Sequence, residues 1–224
     1  MKVLITGSSN GIGRAVSQLF LEHNDLVIGL DKEESKISSP SYRHYKVDIN
    51  NYNELPEIEN IDILINNAGS QNSFNDIDNN LKSTIRLTEK YVFNSNKNNI
   101  KSILFNASSS AHTGFEFNEY CASKAGIIGY MKNVAWRVAK KYKATCNSIS
   151  FGGVLTDLNK VVIKDKKMWE RIMKVTPLKK WVSAEEAATY IYFLTVTNKS
   201  ITGQDILIDN GEKDLNCTFV WPEM

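Results

Sequence analysis

Two residues near the middle of the chain, Tyr120 and Lys124, have the types and the spacing of an acid/base pair. They are four positions apart, and such residues lie on the same face of a helix. An unperturbed phenol titrates at a pKa of about 10, and a neighbouring ammonium group lowers that pKa because it favours the phenolate. The pair is therefore suited to exchange a proton with an alcohol or carbonyl oxygen.

A glycine-rich loop near the N-terminus could hold the partner that this chemistry needs. The sequence Thr-Gly-Ser-Ser-Asn-Gly-Ile-Gly at 6–13 follows a short apolar run and precedes a helical pattern. Glycines at these positions allow a tight turn and let the backbone approach a pyrophosphate, and the following helix directs its free N–H groups at phosphates. We therefore predict a dinucleotide site. The loop residues assigned to it are Gly7, Ser9, Asn10, Gly11, Ile12 and Gly13.

Asp31 is expected to select between the two nicotinamide dinucleotides. It follows Gly7 by 24 residues, at the end of the second apolar run. A carboxylate there can bind both hydroxyls of an adenosine ribose and would repel a 2′-phosphate. The loop carries Asn10 where a basic residue could clamp such a phosphate, although Lys32 follows Asp31 directly. The sequence therefore favours NAD over NADP.

Short β-branched runs alternate with amphipathic stretches along the whole chain, and residues 31–42 have the composition of a loop. Strands alternating with helices predict an α/β fold: a Rossmann-type, doubly wound parallel sheet with helices on both faces. We expect one domain over residues 1–224. Strands are predicted at 3–5, 26–30, 42–47, 61–65, 101–106, 145–149 and 206–209. Helices are predicted at 11–23, 77–95, 118–142, 168–174 and 184–195, the last with a capping box of Ser183 and Glu186.

The order of these motifs resembles that of the short-chain dehydrogenases/reductases, over essentially the whole chain. The matches are the glycine loop at 6–13, Asp48 after the third strand, Asn-Asn-Ala-Gly at 66–69, paired serines before Tyr-x-x-x-Lys at 120–124, Gly-x-x-x-Thr at 152–156 and Ile-Thr-Gly-Gln at 201–204. The resemblance implies an NAD(H)-dependent enzyme that interconverts a secondary alcohol and a ketone.

The resemblance also implies roles for individual residues. Tyr120 would be the general acid/base, and Lys124 would lower the Tyr120 pKa and hold the nicotinamide ribose. Ser109 would orient the substrate oxygen and support its developing charge. Asn80 would anchor a proton-relay water. Further contacts to the dinucleotide would come from Asp48, Ile49, Asn67, Ala68, Gly69, Val154 and Thr156.

Departures from the family pattern fall around the active site. Only 11 residues separate Ser109 from Tyr120, so Ser108 or Ser110 could be the oriented hydroxyl. Phe151 replaces the usual proline and removes its backbone restraint. The segment between 69 and 80 is also shortened. These changes leave the substrate open, because pocket loops carry no transferable code.

Several residues outside the motifs are candidates for substrate contact. Segment 157–180 is expected to be a substrate lid in which Met168 and Trp169 contact an apolar substrate, and Trp181 and His112 are further candidates. The tail 212–224 is apolar and aromatic around Phe219–Trp221. We predict that it docks on a neighbouring subunit or covers a pocket.

The bulk properties exclude several other classes of function. The formal net charge of the 224 residues is +2, from 27 basic and 25 acidic residues, which gives no electrostatic case for nucleic acid or an acidic membrane. Apolar runs fall short of the roughly 20 residues that span a bilayer. Three cysteines without metal-type spacing favour reduced thiols in a cytoplasm and no metal.

Two other functions remain open from the sequence. A 3-oxoacyl thioester reductase would be favoured by a preference for NADPH and by a basic patch for an acyl carrier, whereas Asp31 speaks against it. A non-catalytic dinucleotide-binding regulator would have no need of the four catalytic candidates. In each case we expect small-molecule ligands and a homodimer or homotetramer built on the helices at 77–95 and 118–142.

Overall fold

The computed structural model describes residues 1–71, 73–95, 97–115 and 117–215. The strands are β1 (Lys2–Thr6), β2 (Leu26–Asp31), β3 (Tyr42–Lys46), β4 (Ile63–Asn66), β5 (Ser102–Asn106), β6 (Thr145–Phe151), β7 (Val154–Leu155), β8 (Val182–Ser183) and β9 (Asp205–Ile208). The α-helices are α1 (Gly11–Glu22), α2 (Ser83–Thr88), α3 (Ser110–Thr113), α4 (Asn118–Tyr142), α5 (Lys160–Lys164), α6 (Lys166–Val175) and α7 (Ala184–Tyr192).

Within these described residues, seven strands form one parallel sheet in the order β3-β2-β1-β4-β5-β6-β9. Strand order therefore reverses beside β1, and at such a switch point in an open α/β sheet a crevice forms beyond the carboxyl ends of the strands. A second, two-residue pairing joins β7 to β8 and fixes the segment between them. The expected doubly wound parallel sheet is confirmed.

Alternate residues of each central strand supply two separate hydrophobic layers. On β1, Val3 and Ile5 pack with α1 and α7, whereas Leu4 packs with α2 and α4. All three are fully buried. Since successive strand side chains point to opposite faces, a strand buried on both faces is continuously apolar. This explains why the short runs in the sequence show no polar alternation.

The helix before β5 is longer than α2 alone. Wider π-type turns at Ile77–Lys82 and Glu89–Phe93 continue it in both directions, close to the predicted 77–95. Residues 32–41 contain no helix, as predicted. The short elements α3, α5, β7 and β8 were not predicted. None of the described helices is long and apolar enough to cross a membrane.

Candidate active site

The glycine loop passes close to the backbone at the ends of β1 and β4. Gly7 has a φ of +68° and Gly11 a φ of +50°, in the left-handed region that favours glycine. A Cβ atom on Gly13 would lie 2.0 Å from the Gly7 carbonyl oxygen and 2.6 Å from Asn67 Nδ2. The loop therefore lies tight against the sheet, and α1 begins directly behind it at Gly11.

Asp31 is held in place at the end of β2 by two backbone groups. Its Oδ2 accepts a hydrogen bond from the Ser9 N–H at 2.9 Å, and its Oδ1 accepts one from the Glu33 N–H at 2.9 Å. The carboxylate thus joins the glycine loop to the end of β2. It lies on the wall of a cavity of about 420 Å³.

This first cavity brings together most of the residues predicted to bind a dinucleotide. Besides Asp31, its lining includes Gly7, Asn10, Gly11, Ile12, Asp48, Ile49, Asn67, Ala68, Gly69 and Thr156. Ser9 and Gly13 do not line it, and they support the loop from behind through the contacts described above. In the described chain, no His/Cys/Asp/Glu cluster could hold a metal ion.

Asn67 ties three strand ends together. Its Nδ2 donates to the carbonyl oxygens of Thr6 (3.1 Å) and Gly7 (3.2 Å), and its Oδ1 accepts from Asn106 Nδ2 at 2.9 Å. Both ends of the amide are therefore bonded within the protein. Asn67 shapes the groove floor that the ends of β1, β4 and β5 form.

A second cavity, of about 550 Å³, contains the acid/base pair. Tyr120 and Lys124 line it together with Ser108, Ser109 and Ser110. Both cavities share part of their lining, so they form one continuous groove. The shared residues are Ile12, Asn67, Gly69, Ser70, Asn106, Thr156 and Leu158.

Lys124 is a buried ammonium group. Only 4% of the residue is exposed. Its Nζ donates to the Asn106 carbonyl oxygen at 2.8 Å and lies 5.7 Å from the centroid of the Tyr120 ring. Burial lowers the pKa of Lys124 to about 8, and the charge of Asp76 acts in the opposite direction. The amine therefore titrates much closer to neutral pH than a solvated lysine does.

Three consecutive serines form part of the wall of the cavity that contains Tyr120 and Lys124. The Ser109 N–H donates to the Phe151 carbonyl oxygen at 2.9 Å, and the Ser110 N–H donates to Ser108 Oγ at 3.2 Å. Ser108 and Ser110 are buried and Ser109 is partly exposed. All three border the cavity, so each of the hydroxyls remains a candidate.

Asn80 lies behind the groove rather than on its wall. The side chain is fully buried in the π-type turn. Its Nδ2 donates to the Ser70 carbonyl oxygen (2.9 Å) and to Ser123 Oγ (3.0 Å), and its Oδ1 accepts from the Ser70 N–H (2.7 Å). A Cβ atom on Gly69 would lie 2.9 Å from Asn80 Oδ1 and 3.5 Å from Lys124 Nζ. Asn80 thus lies next to Lys124 and borders neither cavity.

The segment after β7 covers the second cavity with apolar side chains. Met168, Ile172 and Val175 lie along one side of α6 and line it, as does Trp181. Trp169, by contrast, packs edge-on against Trp181 at a centroid distance of 5.1 Å. Of the predicted substrate contacts, Met168 and Trp181 reach the cavity and Trp169 supports one of them.

His112 is not part of the cavity wall. Its Nε2 lies 2.7 Å from Asp205 Oδ2, which joins α3 to β9. The structure therefore does not bring His112 to the cavity where the sequence placed it as a candidate substrate contact.

The sequence reasoning missed Phe117, Ile172, Val175 and Glu212, which also line the cavity. The spacing of Met168, Ile172 and Val175 at i, i+4 and i+7 is a helical signal that could have found two of them. The predicted docking of Phe219–Trp221 lies outside the described residues.

Comparison with known proteins assigns the chain to a family. A family model described as enoyl-(acyl carrier protein) reductase matches residues 7–213. The chain belongs to the short-chain dehydrogenases/reductases. As a short-chain dehydrogenase/reductase, it is an oxidoreductase acting on alcohol and carbonyl groups with a nicotinamide dinucleotide.

Relatives of this short-chain dehydrogenase/reductase include two named enzymes. The 3-oxoacyl-[acyl-carrier-protein] reductase of Rickettsia felis is 30% identical over 231 aligned residues, covering 93% of this chain and 95% of the relative. The enzyme of the same name from Salmonella typhimurium is 28% identical over 235 residues, with the same coverage.

Two solved structures share the fold of this short-chain dehydrogenase/reductase. A 4-hydroxyisoleucine dehydrogenase complexed with NADH matches with a TM-score of 0.84 at 26% identity, covering 95% of this chain and 98% of that one. The ligand-free aldohexose dehydrogenase of Thermoplasma acidophilum has a TM-score of 0.82 at 23% identity, covering 99% and 97%. The latter likeness concerns the fold alone.

Proposed function

We propose that this short-chain dehydrogenase/reductase interconverts a secondary alcohol and a ketone using NAD(H), with Tyr120 as the general acid/base. The observation that carries the proposal is the continuous groove. It joins the glycine loop and Asp31 at one end to Tyr120, Lys124 and the serines at the other. A dinucleotide extended along it would bring its reactive end to the acid/base pair.

The residues at the first end of the groove fit an adenosine and a pyrophosphate. Side chains are excluded at Gly7, where a Cβ atom would lie 2.9 Å from the Ala68 Cα, so the loop leaves backbone facing the groove. The first turn of α1 offers free N–H groups to phosphates. Asp31 would bind the ribose hydroxyls, and Asp48 and Ile49 would border the adenine.

At the second end, the protein's own groups would handle the proton. The nicotinamide, when bound, supplies or accepts the hydride. Tyr120 would donate its phenolic proton to the ketone oxygen, and the charged Lys124 would favour the phenolate that remains. One of the serine hydroxyls, Ser109 by the family pattern, would hold the substrate oxygen and stabilise its developing charge.

The Tyr120→Phe variant tests this assignment. It keeps the ring and removes the proton donor, so ketone reduction should fall at least about 100-fold, as loss of a general acid does. NADH binding, followed by fluorescence titration, should remain within about twofold. Unchanged turnover in this variant would refute the role of Tyr120.

Asp31 supports NAD over NADP because its carboxylate would repel a 2′-phosphate. In the wild type, kcat/KM for NADH should be more than about 10 times kcat/KM for NADPH. One such unfavourable contact costs at least roughly 1.4 kcal/mol, which corresponds to a factor of about 10. Asp31→Asn, which keeps an acceptor oxygen for one of the two backbone bonds, should move that ratio towards one. A wild-type preference for NADPH would contradict the assignment.

A 3-oxoacyl thioester reductase is the second candidate. The names of the curated relatives favour it, and the apolar lid around the second cavity suits an acyl chain. Turnover of a 3-oxoacyl thioester with NADPH, faster than that of any simple ketone with NADH, would decide for it. A third candidate, a binding protein without turnover, predicts tight NADH binding and no reaction with either substrate class.

We also infer a small-molecule substrate and a homo-oligomer. Trp136 is 62% exposed on α4, the helix that the family resemblance assigns to subunit contacts. Burial of such a side chain by a second copy would remove a large apolar group from water. Analytical ultracentrifugation of the wild type and Trp136→Glu tests this, and a monomeric wild type would refute it.

A further inference from the structure

A buried carboxylate, Asp76, lies in the shortened segment behind the active site. The residue is 1% exposed. Its Oδ1 accepts hydrogen bonds from Ser70 Oγ (2.6 Å) and Ser73 Oγ (2.5 Å), and its Oδ2 accepts one from the Ser73 N–H (3.2 Å). The mechanism proposed above makes no use of this group. Burial of a carboxylate is costly unless it is bonded and faces positive charge.

The hydrogen bonds around Asp76 lead to Ser123, the residue before Lys124 on α4. Ser70, which donates to Asp76, borders both cavities. Its N–H donates to the Asn80 side chain, and its carbonyl oxygen accepts from it. Asn80 continues the path to Ser123 Oγ at 3.0 Å, and Ser123 directly precedes Lys124. The network therefore joins Asp76 to the turn of α4 that carries Lys124. Asn80 Oδ1 and Lys124 Nζ also lie close together, at 2.9 Å and 3.5 Å from a Cβ position on Gly69.

Among the residues that the structure describes, little opposite charge otherwise faces Lys124. Its hydrogen-bond acceptor at the end of β5 is the neutral Asn106 carbonyl oxygen. On its own helix Lys124 faces the phenol of Tyr120, and Cys121 lies three residues before it, about one helical turn away. The serine wall is neutral. Glu212 borders the same cavity on the lid side, but Asp76 is the carboxylate whose charge raises the pKa of Lys124 against the effect of burial.

We propose that Asp76 is a positioning residue that keeps Lys124 protonated, acting through space from behind the groove. The inference rests on the proposed function, in which Lys124 must be charged to favour the Tyr120 phenolate. Without the negative charge of Asp76, Lys124 would lose its proton at a lower pH. The competing interpretation is that Asp76 only holds Ser70 and Ser73 in place.

The test compares Asp76→Asn with Asp78→Asn. The first variant keeps the size of the side chain and one acceptor oxygen but removes the buried charge. The second removes an exposed charge two residues away, where Asp78 pairs with Lys82 at 2.7 Å. Thermal unfolding of both variants reports any effect on the fold. The pH profile of ketone reduction, measured as kcat/KM from pH 6 to 10, reports the charge of Lys124.

For Asp76→Asn we expect the alkaline limb to move down by roughly half to one pH unit, less than a contacting charge produces. At pH 8 the rate should fall about two- to fivefold while the rate at pH 6 stays within about twofold. Asp78→Asn should follow the wild-type profile. An equal loss at every pH, or an unmoved limb, would overturn the proposal and leave Asp76 a structural role.

A second measurement does not need turnover. Reductive methylation with formaldehyde and cyanoborohydride modifies neutral amines. Its rate at Lys124, quantified by peptide mass spectrometry at pH 7, therefore reports the neutral fraction. That rate should rise about threefold or more in Asp76→Asn, while the rates at exposed lysines stay the same. Equal rates at Lys124 would refute the inference about Asp76. If the methylation rate at Lys124 rises in Asp76→Asn but the wild-type enzyme reduces no ketone, only the proposed function is refuted.

Discussion

At the scale of single residues, the site depends on a lysine that the fold has removed from water. Desolvation disfavours the ammonium form of Lys124, and its pKa falls to about 8. The group is therefore charged below that pH and neutral above it. A solvated lysine would stay charged to about pH 10, so burial makes the state of this site depend on pH near neutrality.

That titration predicts how ketone reduction depends on pH. In the free enzyme, kcat/KM for NADH in ketone reduction should fall as the pH rises through about 8, because Lys124 loses the charge that favours the Tyr120 phenolate. Such profiles report the pKa values of the free enzyme. Steady-state rates from pH 6 to 10 test this. A rate that stays constant to pH 10 would show that Lys124 remains charged or is not needed.

The close approach of Gly13 to the backbone of Gly7 predicts that this position tolerates only glycine. A Cβ atom there would lie 2.0 Å from the Gly7 carbonyl oxygen, which is backbone and cannot turn aside. Gly13→Ala should therefore lower the free energy of unfolding by on the order of 2 kcal/mol or more, and weaken NADH binding. Urea unfolding and fluorescence titration measure the two effects.

Gly129→Ala is the matched control for that variant. Nothing lies within 4 Å of a Cβ atom at this exposed position in α4, so the change should raise the free energy of unfolding by roughly 0.5–1 kcal/mol. If both variants behaved alike, the close approach at Gly13 would not matter.

The sequence predicted site residues best where they belong to a local motif. Tyr120 and Lys124 share one helix, and Asp31 follows a strand at the same edge as the glycine loop, so spacing alone brought them together. Asp76 and Glu212 were missed, because their positions depend on how distant segments pack. Asn80 was predicted from the family motif. Its position behind Gly69 was not, because hydrophobic periodicity does not indicate the π-type turn that places it there.

At the scale of elements, strands and long helices were predicted to within a few residues, and short elements were not. Two-residue strands such as β7 form because Val154 pairs with Val182, a contact between residues far apart in sequence. The predicted capping box before α7 is confirmed in part. Ser183 Oγ accepts from the Glu186 N–H at 3.0 Å, whereas the Glu186 carboxylate accepts from Lys180 at 3.0 Å.

The cap of α7 gives a prediction at this scale. Ser183→Ala removes the acceptor for a first-turn N–H group, so the free energy of unfolding should fall by about 1 kcal/mol. Because α7 buries Ala187, Ala188 and Ile191, the loss should appear in global urea unfolding.

The control is the corresponding cap of α6, where the Asp165 carboxylate accepts from the Met168 N–H at 3.1 Å. That helix has no fully buried residue, so Asp165→Ala should loosen the lid locally and change global unfolding less. A larger global effect from Asp165→Ala would mean that the lid is part of the cooperative core.

At the scale of the whole molecule, one sheet separates two apolar layers, and every central strand contributes to both. Composition and the strand–helix alternation predicted this architecture, because a parallel sheet must be covered on each face. Since the layers share strands, neither can open without exposing the other. We expect the two layers to unfold together.

Cys146 on β6 is a probe of that cooperativity. Its thiol is fully buried beside Met131, and burial raises the pKa of the thiol well above its ordinary value. A Cys121→Ser/Cys217→Ser protein would carry this thiol alone, and a disulfide reagent should react with it only after the sheet opens. The labelling rate should therefore rise with urea with the same slope as global unfolding, since both expose the same surface. A labelling rate that does not change with urea concentration would show instead that the layer around β6 opens by itself.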